Sequence, residues 1–452
     1  MLASPPPKKM KVAVIGTGIA GMSASWLLST AHDVTVYEKD DRLGGHTNTV
    51  DVDGTGVDTG FIVYNEKNYP NLVALFNHFG VETQATDMSF GVSIERGNFE
   101  YAGSDLKGLF AQKKNLLRPR FWAMVRDILR FYKKAPTLLG NADMTNMTLG
   151  DYLHQHKYSQ SFQRDHLLPM GAAIWSTPVE NMLDYPLEAF VRFCDNHGLL
   201  QVEDRPQWRT VVGGSHEYVK KLTSLYKNRV NLNRAASAVW SSNGPNNGQV
   251  HVEDRFGQVE TYDHVILASH ADQSLELLRY PDPAEEKMLG MFSYQPNVAI
   301  LHSDTDLMPR NRKAWCSWNY LSETRDDKSD VCVTYWMNKL QHIKDGRDYF
   351  VTLNPTHMPQ EGSIIRSFLY HHPLFDRHAV AAQRMLWNIQ GKHNIWYCGS
   401  YFGHGFHEDA LQSGLAVAEA VGGMRRPWMV ENESGRINLP KDWPHLIKPE
   451  AA

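Results

Sequence analysis

Apolar runs of two different periods alternate at the start of the chain. Lys11 to Ile15, KVAVI, is short and largely β-branched and predicts a buried strand; Ala20 to Leu28 is small and apolar with a helical period; Asp33 to Tyr37 predicts a second strand. The same order returns near the far end, where Ile395 to Cys398 predicts a strand and about Glu408 to Val421 a helix. Between them, Gly213-Gly214-Ser215 precedes an amphipathic helix within Trp208 to Leu222. Arg229 to Val239 and Tyr262 to Leu278 contain strand-like runs, and SSNGPNNGQV predicts a hairpin turn. Trp315/Trp318 and Tyr335/Trp336 lie in alternating runs, in which one face lines a core and the other can line a cavity. No internal repeat is present. A chain of 452 residues is too long for most single cores, and predicts about two to three domains.

The first strand–helix–strand carries Gly16, Gly18 and Gly21 at GxGxxG spacing. In a dinucleotide-binding βαβ unit the first glycine permits the tight turn, the second lets backbone approach a pyrophosphate, and the third allows close helix–sheet packing. Ile19 and Ala20 then open a helix whose free N–H groups and positive dipole end face the phosphates. Glu38, followed by Lys39, closes the second strand 17 residues after Gly21, where its carboxylate can accept ribose hydroxyls. Strand, helix, second strand and acid in this order predict a bound dinucleotide, with NAD and FAD both open at this point.

The next stretch, DDRLGGHTNTVDVDGTGVDTGFIVYNEKNYPNL, sets Arg42, Gly44 and Gly45 in an RxGG element, followed by Val57-Asp58-Thr59-Gly60-Phe61. These motifs resemble the FAD-dependent amine-oxidase and carotenoid-desaturase superfamily. The resemblance implies that Arg42, Gly44, Gly45 and His46 contact the diphosphate side, and that Thr59, Gly60, Phe61 and Ile62 pass near the isoalloxazine ring. It implies that Ala236 lies by the adenine and that the Tyr262–Leu278 strand and turn return to the FAD domain. His46 departs from the pattern, standing where many members have Arg; a neutral imidazole supplies one donor at most.

GHGFHEDALQSG, Gly403 to Gly414, concentrates His404, His407, Glu408 and Asp409. As a metal site it is poor, because the flanking glycines oppose a helical turn there and no second ligand group follows; no metal is expected. Preceded by IWYCGSYF, it resembles the superfamily's closing FAD motif. That implies Gly399 and Ser400 near the diphosphate and ribityl chain, Phe406 beside the ring, and a helix start, His407 to Ala410, aimed at the flavin with Glu408 and Asp409 as first-turn caps. His407 and His371 of HHPLFD are the candidate catalytic bases, although a turn fixed by Pro373 with His371 exposed explains that motif equally well. Cys398 does not match the family's position of covalent attachment, so FAD is expected to be non-covalent.

The resemblance implies an α/β fold, a Rossmann-like FAD-binding domain of the amine-oxidase type assembled from 1–80, 205–275 and 385–425, interleaved with an α+β substrate domain of 81–204 and 276–384. A tail, 426–452, wraps the surface. VDTGFIVYNEKNYPNL, ATDMSFGVSI and HHPLFD also resemble a bacterial FAD/NAD-binding oxidoreductase subgroup whose relatives occur fused to cyclopropane-fatty-acid synthases, which implies a functional link to a fatty-acid-modifying methyltransferase.

Composition narrows the setting. The hydrophobic fraction is 42% with mixed charge, and the net charge of −4 offers nucleic acid no global attraction. Cys194, Cys316, Cys332 and Cys398 form no CxxC pair, which fits a reducing compartment. MLASPPPKKMK has no apolar signal core and no stretch is long enough for a membrane span, so a cytoplasmic protein is expected, with any membrane contact peripheral at the inner face. Against this background, Asp105 to Lys134 holds nine basic residues against two acids, +7, interleaved with Phe110, Leu116, Leu117, Phe121, Trp122 and Leu129. Basic residues beside an apolar, Trp-containing helical face fit interfacial docking, and fit equally an amphipathic helix packed on its own domain with a solvated basic side. Phe90, Trp175, Tyr185, Phe190, Phe193 and the two Trp/Tyr runs suit an apolar pocket for a lipid. The expected activity is oxidation, desaturation or isomerisation of a fatty-acyl substrate by hydride transfer to the flavin, with amine oxidation and a non-catalytic FAD-binding module as alternatives.

Overall fold

The computed structural model describes residues 9–103, 106–140, 147–175, 178–201, 205–242, 248–324 and 331–443. Lys11–Ile15 forms the middle of a five-stranded parallel sheet, flanked on one side by Asp33–Tyr37 and Val230–Asn231 and on the other by His264–Leu267 and Ile395–Tyr397. Val12, Ala13 and Val14 are completely buried, as expected of a parallel strand covered on both faces. The chain reverses its direction of sheet growth at this strand, and ligands bind outside the carboxyl ends of strands at such a switch point.

Two helices cover the switch. Ile19–Ser29 packs against His407–Gly422 so tightly that a Cβ on Gly414 would lie 2.3 Å from the Ala20 carbonyl oxygen. Gly21 is equally constrained, since a Cβ there would lie 2.0 Å from the Gly16 oxygen. The glycine assigned to helix–sheet packing therefore performs that role and does not face the ligand side.

A second sheet of seven strands runs in the order Ile364–Leu374, Ser293–His302, Phe350–Leu353, Cys332–Trp336, Trp318–Ser322, Phe90–Ile94, Phe99–Ala102. All its pairings are antiparallel except Trp318–Ser322 with Phe90–Ile94. Buried Asp58 ties the two halves: its Oδ1 accepts from Thr49 Oγ1 at 2.5 Å and Ser215 Oγ at 2.7 Å, and its Oδ2 from Gln341 Nε2 at 3.1 Å.

Four expectations are corrected here. Arg229 to Val239 is not one strand: Val230–Asn231 joins the parallel sheet, whereas Ala236–Ser241 pairs antiparallel with Val250–Asp254, after a left-handed turn at Asn233 with φ 55°. The predicted hairpin turn falls between these last strands, at 243–247, outside the described residues. HHPLFD is no turn at His371: His371 to Leu374 continues the Ile364–Leu374 edge strand, and His371 is half-buried. The tail does more than wrap the surface, because Ile437 is fully buried and the buried Arg426 guanidinium donates to Glu419 at 2.7 Å. The basic segment breaks into Leu106–Leu109, a tight turn at Lys113–Leu117 and the helix Pro119–Lys134, with Pro119 holding Arg118 extended; Asp105 lies outside the described residues.

Candidate active site

One cavity of about 1420 Å³ runs from the carboxyl ends of the parallel strands to the inner face of the seven-stranded sheet. Its first end is built by the glycine turn. Gly16 adopts φ +102°, and a Cβ there would meet the Ala268 oxygen at 2.7 Å, whereas a Cβ on Gly18 would meet no atom within 4 Å. Gly18 also caps the Ile19–Ser29 helix without a side-chain hydrogen bond. The first N–H groups of that helix are thus left for a ligand at a spot kept open by the missing side chain. Glu38 is held at the rim, its Oε2 accepting from the Thr17 N–H at 3.0 Å and its Oε1 from the Asp40 N–H at 3.0 Å, with the Thr17 hydroxyl as a further donor. Lys39, Gly44, Gly45 and Ala236 complete this end. Arg42 lines it too, but its guanidinium donates to the Gly45 carbonyl at 2.8 Å and the Thr47 carbonyl at 3.3 Å, and so shapes the loop.

The loop after Arg42 turns back under the cavity. A Cβ on Gly60 would sit 2.0 Å from the His46 oxygen, and Phe61 N–H donates to that oxygen at 2.9 Å. Thr59, Gly60, Phe61 and Ile62 all reach the wall, as do Gly399, Ser400, Phe406, His407 and Ala410 from the closing segment. Phe61 stacks on His407 with centroids 3.8 Å apart and planes 12° apart. The Nε2 of His407 lies 2.9 Å from both Thr47 Oγ1 and Tyr218 OH, and burial pushes its pKa down to about 3. A ring so engaged and so weakly basic positions the site and is unsuited to take up a proton at neutral pH, which corrects its expected role as a base.

Glu408 and Asp409 do not line the cavity. Glu408 accepts from the Asn71 and Leu72 N–H groups at 3.1 and 3.0 Å, capping the Pro70–Phe79 helix instead of its own. Asp409 accepts from the Phe406 N–H at 2.8 Å and pairs with Arg436 at 2.7 Å. Both were expected at the cofactor; both lock the helix from behind. His404 and His407 turn to different partners: His404 lies against Phe193, 6.3 Å between centroids.

Sequence reasoning missed the histidines that converge above this turn. His270, at the end of the His264–Leu267 strand segment, stacks on Tyr294 at 4.3 Å, and lies 6.1 Å from His46 and 6.2 Å from His371. His372 is 5.6 Å from His46 and takes a hydrogen bond from Asn297 Nδ2 at 2.9 Å. Burial, then the neighbouring imidazoles and cations, lowers His270 and His372 to about 3 and His46 to about 4. The buried His46 Nε2 has no hydrogen-bond partner among the described residues. The HH pair was visible as a motif, but nothing local signalled its meeting with His46 and His270.

The far end of the cavity is apolar: Phe90, Met170, Ile174, Trp175, Phe193, Trp318, Tyr335 and Leu353. Trp318 and Tyr335 are cross-strand partners in edge contact, 5.1 Å between centroids, on the cavity face. Trp315 and Trp336 meet each other away from it, at 5.3 Å; alternation divides Tyr335 from Trp336, whereas Trp315 precedes the Trp318–Ser322 strand and is placed by the Arg312–Ala314 turn. Cys398 is buried and does not line the cavity; burial pushes its thiol pKa well up.

The family profile of the flavin containing amine oxidoreductases matches residues 19–340. A Mycobacterium tuberculosis protein described as a flavin-containing monoamine oxidase is 27% identical over 337 residues, covering 73% of this chain and 71% of its own. Among solved structures, cyclohexylamine oxidase from Brevibacterium oxydans superposes with a TM-score of 0.67 at 13% identity, covering 92% of this chain and 99% of that one. The CLA-producing fatty acid isomerase from P. acnes superposes at 0.63 with 14% identity, covering 90% and 97%. The residues present fit FAD: the side-chain-free approach at Gly18, the uncapped helix start, the Glu38 carboxylate and the unpartnered His46 Nε2 all open on one cavity.

Proposed function

The chain belongs to the family of flavin-containing amine oxidoreductases, and on that premise we propose that this FAD-dependent oxidoreductase oxidises, desaturates or isomerises a lipid or fatty-acyl chain. The observation that carries the reading is the absence of a carboxylate from the apolar arm, where the charge that reaches Tyr132 and His166 is the Arg205 guanidinium. The carboxylates that line the cavity, Glu38, Asp40, Asp41 and Glu276, all belong to the segments after the parallel strands, and among the described residues none lines the arm. An ammonium group entering there would lose its hydration with no counter-ion, whereas each methylene buried there contributes about 0.8 kcal/mol.

FAD, when bound, supplies the two-electron hydride acceptor. The chain's own residues hold the substrate and keep water out: Trp318 and Tyr335 form one wall, and Trp175, 4.7 Å from Phe193, the other. His46, His270, His372 and His407 stay neutral at physiological pH and add no competing charge. His371, half-buried on the edge strand and lining the cavity, is our candidate for the group that accepts a substrate proton.

Amine oxidation is the second reading, favoured by the stacked Phe193–Phe406 pair, 4.9 Å apart and 21° from parallel, which offers an amine an aromatic surface. Anaerobic mixing with fatty acids, phospholipids and primary amines separates the two, with flavin absorbance followed together with double-bond positions by mass spectrometry. Bleaching or double-bond change with acyl chains supports the proposal; bleaching by amines alone, or no response from any acyl substrate, overturns it.

A further inference from the structure

The helix Pro119–Lys134 reaches the cavity through Tyr132 and solvent through its opposite face. Phe121, Met124 and Phe131 are buried beneath it, and Tyr132 lines the cavity, its hydroxyl 3.1 Å from His166 Nε2. The opposite stripe, Trp122, Arg126, Leu129 and Lys133, is exposed along its length, the spacing of one helical face. Apolar side chains do not normally face water this densely: Trp122 is 47%, Leu129 55%, Leu116 45% and Leu117 87% exposed. The Trp122 indole donates to the Leu116 carbonyl at 2.9 Å, which fixes its ring against the Lys113–Leu117 turn and makes one continuous ridge.

Charge surrounds this ridge with one sign. Lys113, Lys114, Arg126, Lys133 and Lys134 are exposed around it. Among the described residues, Asp165 and Asp127 beside the helix are buried and engaged, with Arg120 at 2.7 Å and with Arg126 at 3.3 Å and Arg130 at 3.8 Å, and the half-exposed Glu95 accepts from Asn98 Nδ2 at 2.9 Å. Among the described residues no carboxylate pairs with Lys113, Lys114, Lys133 or Lys134; Lys114 donates only to the Asn98 amide oxygen, at 3.2 Å. The whole chain carries −4, so a negative surface repels it in most orientations and accepts it through this face.

We propose that the Leu116–Leu117–Trp122–Leu129 ridge and its lysine rim dock on an anionic lipid bilayer, the docked helix meeting the cavity at Tyr132. An apolar ridge that inserts shallowly and a basic rim that meets lipid phosphates are the two contributions interfacial binding requires. An acidic protein would match the lysines and leave the leucines and tryptophan in water. The docking stands on this surface alone, and its test reads binding and not turnover, so it can fail while the acyl reading survives.

Co-sedimentation of the full-length, FAD-loaded protein with vesicles tests it. At low salt, binding to phosphatidylglycerol vesicles exceeds that to phosphatidylcholine vesicles by about tenfold, and it weakens once the Debye length contracts to about 10 Å near 0.1 M salt. Lys113→Glu with Lys114→Glu, both solvent-exposed, lowers binding about tenfold. Leu117→Ser lowers it several-fold at an unchanged melting temperature. Equal binding to the two vesicle types, no binding to either, or wild-type binding by either variant overturns the proposal.

Discussion

Acidification provides the sharpest test of the cavity's electrostatics. His46, His270, His372 and His407 have pKa values of about 4, 3, 3 and 3 in the folded protein against 6.5 for a free imidazole, burial being the first cause in each. A buried neutral histidine contributes stability that is fully present above the unfolded pKa and is lost as pH falls toward the folded one. Between about pH 7.5 and about pH 5.5 the unfolded chain takes up each proton and the folded protein does not, a loss of about 1.4 kcal/mol per histidine, or about 5 kcal/mol for the four. Asp58 works in the opposite direction: burial raises its carboxyl from 3.8 to about 6, so its protonation in the fold returns about 0.8 kcal/mol over the same interval. His166, His197, His302 and His404 are also lowered by burial, to about 4, 3, 4 and 4, and add to the loss. A net loss of at least about 4 kcal/mol is a large part of the about 5–15 kcal/mol by which proteins are stable. Urea unfolding followed by circular dichroism at the two pH values measures it. His372→Asn keeps an acceptor for Asn297 and reduces the pH difference by about 1.4 kcal/mol. An unfolding free energy that is the same at both pH values would refute buried neutral imidazoles in this cavity.

Two further outcomes follow from close approaches. Gly18→Ala leaves stability within about 1 kcal/mol, because its Cβ meets no protein atom, yet weakens FAD affinity at least about tenfold; Gly21→Ala, whose Cβ would collide with the Gly16 oxygen, instead lowers the melting temperature of the protein itself. Thermal denaturation and flavin fluorescence titration separate the two. Arg426→Met leaves the Glu419 carboxylate, only 6% exposed, with Arg425 at 3.0 Å as its remaining ionic partner, and costs about 1.5–3 kcal/mol in urea unfolding; a change below about 0.5 kcal/mol would show that Arg425 alone satisfies the carboxylate.

What could be read before the structure is what the chain writes locally. The GxGxxG turn, the RxGG loop and the closing helix each occupy one short stretch, and residues of all three, from Gly16 to Ala410, line one cavity. The reading failed where the partner is remote. Glu408 looked like a cap for its own helix, but its acceptor oxygens meet Asn71 and Leu72 across 337 and 336 residues of chain. The histidine cluster is joined by the pairing of Ser293–His302 with Ile364–Leu374 and by the loop bearing His46, three elements with no common sequence signal. The Trp318/Tyr335 wall was legible because strand alternation is itself a local rule, although which face met the cavity was not.

The parallel sheet has a consequence for biosynthesis. Lys11–Ile15 pairs with His264–Leu267, which pairs with Ile395–Tyr397, and the helix over the glycine turn packs on His407–Gly422. At about 5–20 residues per second, the glycine turn leaves the ribosome about 20–80 seconds before the helix that closes over it. Until His264–Leu267 emerges, about 12–50 seconds after the glycine turn, the apolar edge of the first strand stays unpaired. Closure of the cradle thereby waits for the His407–Gly422 helix, and shielding of the strand edge until His264–Leu267 arrives falls to whatever accompanies the growing chain.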